Sequence, residues 1–170
     1  KEEIEYALVY APPPGLLSSL PNLKAIFSRW AGIDHMASDP CLPPVPIFRT
    51  VDYNMVACMT VHVLQQVLSL HTYAETYRRQ QFENHWKKIK VIAPEDRRVG
   101  ILGLGALGKD VAEKISSLRF DVAGWSRSEK SIDKVLCLHG NEGLNEILAR
   151  SDILICLLPL TSETKGILNA

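Results

Sequence analysis

The sequence lacks several features that would point to particular classes of protein. Its 19 Lys and Arg residues balance 19 Asp and Glu residues, so the formal net charge is zero, and no basic block is present. Charge-driven binding to nucleic acid or to an anionic membrane surface therefore has no support. Because there is neither a run of eighteen apolar residues nor a recognisable signal peptide, a soluble and cytoplasmic protein is expected.

Cysteine is scarce and unpatterned. Cys41, Cys58, Cys137 and Cys156 are widely spaced and form no C-x-x-C pair. This spacing predicts reduced, mostly buried thiols rather than a disulfide framework or a zinc site, and an inert Cys156 within its apolar run. No metal-ligand spacing and no nucleophile elbow is present, so neither a metal site nor a catalytic residue is assigned.

The most informative stretch is Arg98–Gly108 (RVGILGLGALG), an apolar run that opens into three glycines spaced G-x-G-x-x-G. Apolar residues then recur at helical spacing, at Leu107, Val111, Ile115 and Leu118. A strand, a tight turn and a helix N-terminus predict a dinucleotide pyrophosphate site. Gly103 permits the turn, Gly105 admits the phosphates close to the backbone, and Gly108 allows helix and strand to pack. The alternative is a glycine-rich turn that serves packing alone.

The residues after the next predicted strand, Phe120–Trp125 (FDVAGW), indicate which dinucleotide is bound. An NAD-preferring site has Asp or Glu there to bind the ribose 2′-OH. This chain instead has Ser126, Arg127 and Ser128, whose guanidinium and hydroxyls can hydrogen-bond a 2′-phosphate that a carboxylate would repel. NADP is therefore favoured, with NAD possible. The alternative is that Arg127 is a solvated turn residue.

The rest of the pattern predicts an α/β fold with parallel sheets. Three short apolar strands are expected before the glycine stretch, at Glu5–Tyr10, Leu23–Ser28 and Val45–Arg49. After it, Glu142–Arg150 predicts a helix and the continuous apolar run Ile153–Leu158 predicts a buried parallel strand.

A long segment without proline or glycine, Met55–Trp86, predicts one helix. Its expected buried stripe consists of Val61, Leu64, Leu68 and His71, with Val67 beside it. The polar and aromatic end, Glu75–Trp86, either packs against a partner subunit or is a solvated helix end.

Four segments, in the same order along the chain, resemble the D-isomer-specific 2-hydroxyacid dehydrogenase family, and within it the glyoxylate/hydroxypyruvate reductase A group. The segments are Ala31–Asp34 (AGID), Met59–Leu64 (MTVHVL), Gly103–Gly108 with Trp125–Arg127 (WSR), and Leu158–Asn169 (LPLTSETKGILN). The last segment is the most specific, because general dinucleotide-binding proteins do not share it.

The resemblance implies two flavodoxin/Rossmann-like domains with parallel sheets, both incomplete in this chain. Residues 1–58 would belong to the substrate-binding (catalytic) domain. Residues 59–170 would form the linking helix and the first half of the NAD(P)-binding Rossmann domain. A homodimer through the linking helix region is also implied.

The resemblance further implies site residues. The backbone amides of Ala31 and Gly32 would hold the substrate carboxylate. The implied cofactor contacts are Gly103, Gly105, Ala106, Leu107 and Gly108 at the pyrophosphate, Ser126, Arg127 and Ser128 at the 2′-phosphate, and Leu158, Pro159 and Thr164 beside the adenosine and ribose. Two residues depart from the family pattern. Trp30 replaces a residue that is often small, which narrows the substrate pocket, and Val61 replaces a frequent Glu, which removes a polar group.

The implied activity is reduction of a small 2-oxoacid to a D-2-hydroxyacid by hydride transfer from NADPH. Glyoxylate, hydroxypyruvate and larger 2-oxoacids would all use the same carboxylate turn. The family's catalytic Arg, Glu and His follow the point where this sequence stops, so the fragment alone is expected to be inactive. His35, beside Asp34, is interpreted as a loop histidine, and His139 lies in a polar context that indicates nothing. The alternative function is a non-catalytic dinucleotide-binding sensor or scaffold of the same family.

Overall fold

The computed structural model describes residues 1–50 and 52–169; Val51 and Ala170, which fall within the two predicted domain ranges, lie outside the described residues. The chain divides into two compact units. The first comprises Lys1–Tyr53 and Pro159–Ala170, and the second comprises Asn54–Leu158. Each unit contains a parallel β-sheet, so the predicted α/β class is confirmed. The predicted domain boundary after residue 58 stays a prediction.

The first unit is built on a three-stranded parallel sheet in the order β1-β2-β3. Its strands are β1 (Tyr6–Val9), β2 (Ala25–Ser28) and β3 (Ile47–Arg49), each shorter than predicted. A 3-10 turn at Leu17–Ser19 and a short helix, α1 (Asp34–Ala37), complete the unit. Its core is formed by the buried side chains Leu17, Leu23, Ile26 and Met36.

The segment predicted as one long helix is two helices, so that prediction is wrong. Helix α2 covers Tyr53–His71 and helix α3 covers Ala74–Phe82. Between them Tyr73 adopts a left-handed conformation with φ of 56°, which ends the helical path. The Arg97 guanidinium donates a hydrogen bond to the Tyr73 hydroxyl at 3.1 Å. The hydrophobic spacing of the helical segment gives no sign of this contact, because Arg97 lies outside that segment.

The predicted buried stripe of α2 is correct only in part, because Val67 is buried and Leu64 packs against the core, whereas Val61 and Leu68 are exposed. The buried residues are Thr60, Val63 and Val67, whereas Val61 is 66% exposed. A polar residue lies on the buried face because the Thr60 hydroxyl donates to Asp110 Oδ2 at 2.6 Å, which satisfies it.

The second unit is built on a four-stranded parallel sheet in the order β6-β5-β4-β7. The strands are β4 (Arg98–Leu102), β5 (Asp121–Ser126), β6 (Leu136–His139) and β7 (Ile153–Cys156). Helix α4 (Ala106–Ser117) connects β4 to β5, and helix α5 (Gly140–Arg150) connects β6 to β7. Strand β6 is absent from the sequence-based prediction, because it spans four residues between a charged turn and a glycine.

The two faces of the second sheet pack against different helices. Val99 and Ile101 belong to one buried cluster with Val111 and Ile115 of α4. On the other face a Cβ at Gly100 would lie 3.1 Å from the Ile147 side chain of α5. The predicted helical spacing of α4 thus produces a buried stripe, as expected.

Strand β7 is less buried than its apolar sequence predicts. Among the described residues it pairs with β4 alone, and of its four residues only Ile153 is buried. Together with α2 it borders an apolar groove of about 310 Å³.

The prediction of mostly buried thiols is wrong. Cys156, the last residue of the partly exposed strand β7, is exposed, and so are Cys41 and Cys58. In the described part of the chain, no helix combines the length and the apolarity that a bilayer crossing requires.

Candidate cofactor-binding site

The glycine turn lies at the carboxyl end of β4, directly before α4. Gly103 has φ of 102°, in the region that favours glycine, and its N–H donates to the Trp125 carbonyl at 2.8 Å. A Cβ at Gly108 would lie only 1.8 Å from the Gly103 carbonyl oxygen, so α4 packs directly on the turn. A Cβ at Gly105 would meet nothing within 4 Å, so the backbone there faces open space.

The N-terminus of α4 provides free hydrogen-bond donors at this open position. Gly105 precedes the helix without a side-chain cap, and the first turn contains no acidic residue. The backbone amides of Ala106, Leu107 and Gly108 precede the first intrahelical bond, which Lys109 N–H makes to the Gly105 carbonyl at 2.9 Å. Three amides and the positive end of the helix dipole are what an anionic phosphate requires.

The turn after β5 lies beside the glycine turn, since Leu102 and Trp125 are paired residues of β4 and β5. Ser126 is 9% exposed, and its hydroxyl donates to the Ser128 carbonyl at 2.6 Å. The hydroxyl proton of Ser126 is therefore used in a hydrogen bond within the turn. Arg127 and Ser128 are exposed.

The segment after β7 also contacts the glycine turn. Leu157 N–H donates to the Leu102 carbonyl at 2.9 Å. A Cβ at Gly103 would lie 3.2 Å from the Leu158 side chain, so Leu158 covers one side of the turn. Pro159 and Thr164 belong to the first unit, where the Thr164 hydroxyl donates to the Pro159 carbonyl.

In the first unit, the Ala31-Gly32 turn follows the carboxyl end of β2. Ser28 is buried, and its hydroxyl accepts a hydrogen bond from the Trp30 N–H at 3.1 Å. Arg49, at the end of β3, donates from Nη1 to the Ala31 carbonyl at 3.3 Å. Residues at the ends of two neighbouring strands, β2 and β3, therefore fix the backbone of this turn.

An aromatic cluster flanks this turn. The indole of Trp30, 43% exposed, meets the Tyr10 ring edge-on with centroids 4.5 Å apart. The His35 ring also meets the Trp30 ring edge-on, with centroids 5.3 Å apart. Both ring nitrogens of His35 are buried without a hydrogen-bond partner in the described part of the chain. The cluster places three ring systems around one turn.

The most perturbed carboxyl group lies away from these turns. Asp152 receives hydrogen bonds from Arg98, at 2.8 Å from Nη2 and at 2.9 Å from the backbone N–H. These bonds hold the pKa of Asp152 at about 2. The pair joins the start of β4 to the residue before β7, at the opposite end of the strands from the glycine turn, and is structural. Within residues 1–50 and 52–169, no three His, Cys, Asp or Glu side chains are grouped to hold a metal ion.

One residue at this edge was missed from the sequence. His139 ends β6 and is paired in register with Ser126 at the end of β5. The available signal was the short apolar run Leu136–Leu138 before His139, and it is too short to distinguish a strand from a turn.

These features define a class of protein. A parallel sheet with a glycine turn at the carboxyl end of its first strand, followed by an uncapped helix N-terminus, is a Rossmann-like dinucleotide-binding unit.

The comparisons with known proteins agree with this class. Residues 62–170 match the family described as D-isomer specific 2-hydroxyacid dehydrogenase, NAD binding domain. A D-isomer specific 2-hydroxyacid dehydrogenase from Xanthobacter autotrophicus Py2, solved with NADPH and MES, is 42% identical with a TM-score of 0.92. That match covers 99% of this chain and 53% of the Xanthobacter chain.

Two further solved structures are similar. The NADPH-dependent glyoxylate/hydroxypyruvate reductase of Sinorhizobium meliloti, solved with NADP and sulfate, is 38% identical with a TM-score of 0.87 over 96% of this chain and 51% of its own. A probable 2-hydroxyacid dehydrogenase from Rhizobium etli CFN 42, solved with NADP, HEPES and L(+)-tartaric acid, is 39% identical with a TM-score of 0.90 over the same shares. The chain belongs to the D-isomer-specific 2-hydroxyacid dehydrogenase family and spans about half the length of these relatives.

Proposed function

We propose that the complete protein is an NADPH-dependent reductase of small 2-oxoacids of the glyoxylate/hydroxypyruvate type, forming D-2-hydroxyacids. The observation that supports this most is the end of β5, where Arg127 and Ser128 stand exposed beside the glycine turn in place of a carboxylate. The Xanthobacter, Sinorhizobium and Rhizobium relatives were each solved with NADPH or NADP.

In this proposal the second unit holds the cofactor. The amides of Ala106, Leu107 and Gly108 bind the pyrophosphate, which approaches over the open backbone at Gly105. Arg127 and Ser128 bind the 2′-phosphate, while Ser126 fixes the turn through its bond to the Ser128 carbonyl. Leu158, which covers one side of the glycine turn, lines the adenosine and ribose side.

The first unit holds the substrate in this proposal. The amides of Ala31 and Gly32 donate to the carboxylate of the 2-oxoacid, and Arg49 acts as a positioning residue through the Ala31 carbonyl. Trp30, braced by Tyr10, narrows the space beside the turn and favours short substrates such as glyoxylate and hydroxypyruvate.

The chemistry divides between cofactor and protein. When bound, NADPH supplies a hydride to the carbonyl carbon of the 2-oxoacid. The residues of this chain orient both molecules through backbone amides, and Arg127 and Ser128 favour the 2′-phosphate of NADPH over the free ribose 2′-OH of NADH. No residue among those described is assigned as the proton donor.

The proposal extends to organisation. Residues 1–58 contribute the substrate-binding part, and residues 59–170 the linking helix and the first half of the nucleotide-binding part. A homodimer through the linking helix region is supported by Phe82 and Trp86, which are 88% and 94% exposed at and beyond the end of α3. A cytoplasmic location stays a prediction.

The test is turnover by the complete protein with NADPH and either glyoxylate or hydroxypyruvate. We expect NADPH oxidation that depends on the 2-oxoacid and is slower with NADH. Binding of NADPH without any turnover would instead support the alternative, a dinucleotide-binding sensor or scaffold of the same family.

A further inference from the structure

The fold places a histidine at the rim of the expected 2′-phosphate site. Strands β5 and β6 are parallel neighbours, and their last residues, Ser126 and His139, are register partners. Both residues therefore lie at the carboxyl edge of the sheet, where parallel α/β sheets bind their ligands.

The two residues also share one face of the sheet. Trp125 projects toward α5, because its Nε1 donates to the Gly140 carbonyl at 2.8 Å. Successive residues of a strand alternate between faces, so Ser126 projects to the other face, and its register partner His139 does the same. On that face a Cβ at Gly124 would lie 2.4 Å from the Leu104 side chain of the glycine turn, so this face of β5 borders that turn.

The surroundings of His139 combine exposure with mixed charge. His139 itself is exposed. The turn after β5 contains the charged residues Arg127, Glu129 and Lys130. On α4, Lys109 lies 3.8 Å from Glu113. The first turn of α5 contains Glu142.

We propose that His139 is a further binding residue for the 2′-phosphate of NADPH, acting beside Arg127. In its protonated form the imidazole donates a charge-assisted hydrogen bond to a phosphate oxygen, and in its neutral form that attraction is lost. NADPH binding therefore strengthens toward acid pH in a way that NADH binding does not. This inference rests on the proposed NADP site.

The test measures binding of 2′,5′-ADP and of 5′-AMP to the complete protein by calorimetry between about pH 5.5 and about pH 8, a range that spans the charge change of histidine side chains in general. The variants are His139→Gln, His139→Arg and, as a matched control, His85→Gln, which replaces another exposed histidine. Titration of the phosphate, with a second pKa of about 6, is common to all four proteins and cancels in the comparison.

As the pH rises over this range, the affinity for 2′,5′-ADP should fall about fivefold more in wild type and in His85→Gln than in His139→Gln. This factor corresponds to one charge-assisted hydrogen bond, reduced because the site is exposed to solvent. His139→Arg should bind 2′,5′-ADP tightly at both ends of the range, and binding of 5′-AMP should be alike in all four. Parallel pH profiles for wild type and His139→Gln would overturn the role of His139 while leaving the NADP site intact. If 2′,5′-ADP binds no more tightly than 5′-AMP at any pH, the NADP preference fails as well.

Discussion

Two glycines of the same turn should respond differently to one added methyl group. At Gly105 a Cβ meets nothing within 4 Å, and φ of −74° with an extended ψ suits any residue. At Gly108 the same Cβ would lie 1.8 Å from the Gly103 carbonyl oxygen. Alanine at the first position adds bulk where the cofactor approaches, and alanine at the second forces helix and turn apart.

The magnitudes follow from these distances. To restore a contact of 3.4 Å, the Gly103 carbonyl and α4 must separate by the difference between 3.4 and 1.8, or about 1.6 Å. Because backbone lies on both sides, we expect the upper end of overpacking costs, about 3 kcal/mol. The better helix propensity of alanine offsets about 1 kcal/mol, so Gly108→Ala should lose about 2 kcal/mol of unfolding free energy. Gly105→Ala should stay within about 0.5 kcal/mol of wild type.

The assay pairs urea unfolding with NADPH titration of the complete protein. Gly105→Ala should keep wild-type stability and lose at least about tenfold in NADPH affinity, since the phosphates can no longer approach the backbone. Gly108→Ala should lose both stability and affinity. Wild-type NADPH binding by Gly105→Ala would refute the placement of the pyrophosphate, and wild-type stability of Gly108→Ala would refute the close packing of helix on turn.

Three further predictions concern other contacts. Thr60→Val leaves the Asp110 carboxylate without its donor from α2, and urea unfolding should show a loss of about 1 to 2 kcal/mol that an exposed control, Val61→Thr, does not show. Burial, reinforced by Arg97, lowers the pKa of His71, so the folded state binds this proton less readily than the unfolded state. Unfolding free energy should therefore fall as pH drops below about 6.5, less so in His71→Phe; identical pH profiles would contradict this. Trp30→Gly should raise kcat/KM for 2-oxoacids larger than hydroxypyruvate, and unchanged selectivity would show that Trp30 does not limit the pocket.

The glycine turn could be predicted because its determinants are local. An apolar strand, the three glycines and the helical spacing after them lie within about twenty residues, and local backbone demands such as the φ of Gly103 select residue types directly. The parallel α/β class followed from the same alternation of short apolar strands and helices.

The elements that sequence reasoning missed depend on distant partners. The buried face of α2 includes Thr60 because Asp110, fifty positions along the chain, accepts its hydrogen bond. The helix breaks at Tyr73, whose hydroxyl is held by Arg97. His139 reaches the site edge through its register with Ser126, and register between strands is not written in either segment alone.

The central claim is that the turn after β5 selects NADPH, and a cofactor-switch variant tests it most directly. The measurement is the ratio of kcat/KM with NADPH to kcat/KM with NADH, for the complete wild-type protein and for Ser126→Asp combined with Arg127→Ala. We predict a ratio of at least about ten for wild type, which falls toward or below one in the variant, because a carboxylate repels the 2′-phosphate and can accept the ribose 2′-OH. An unchanged ratio would contradict the account.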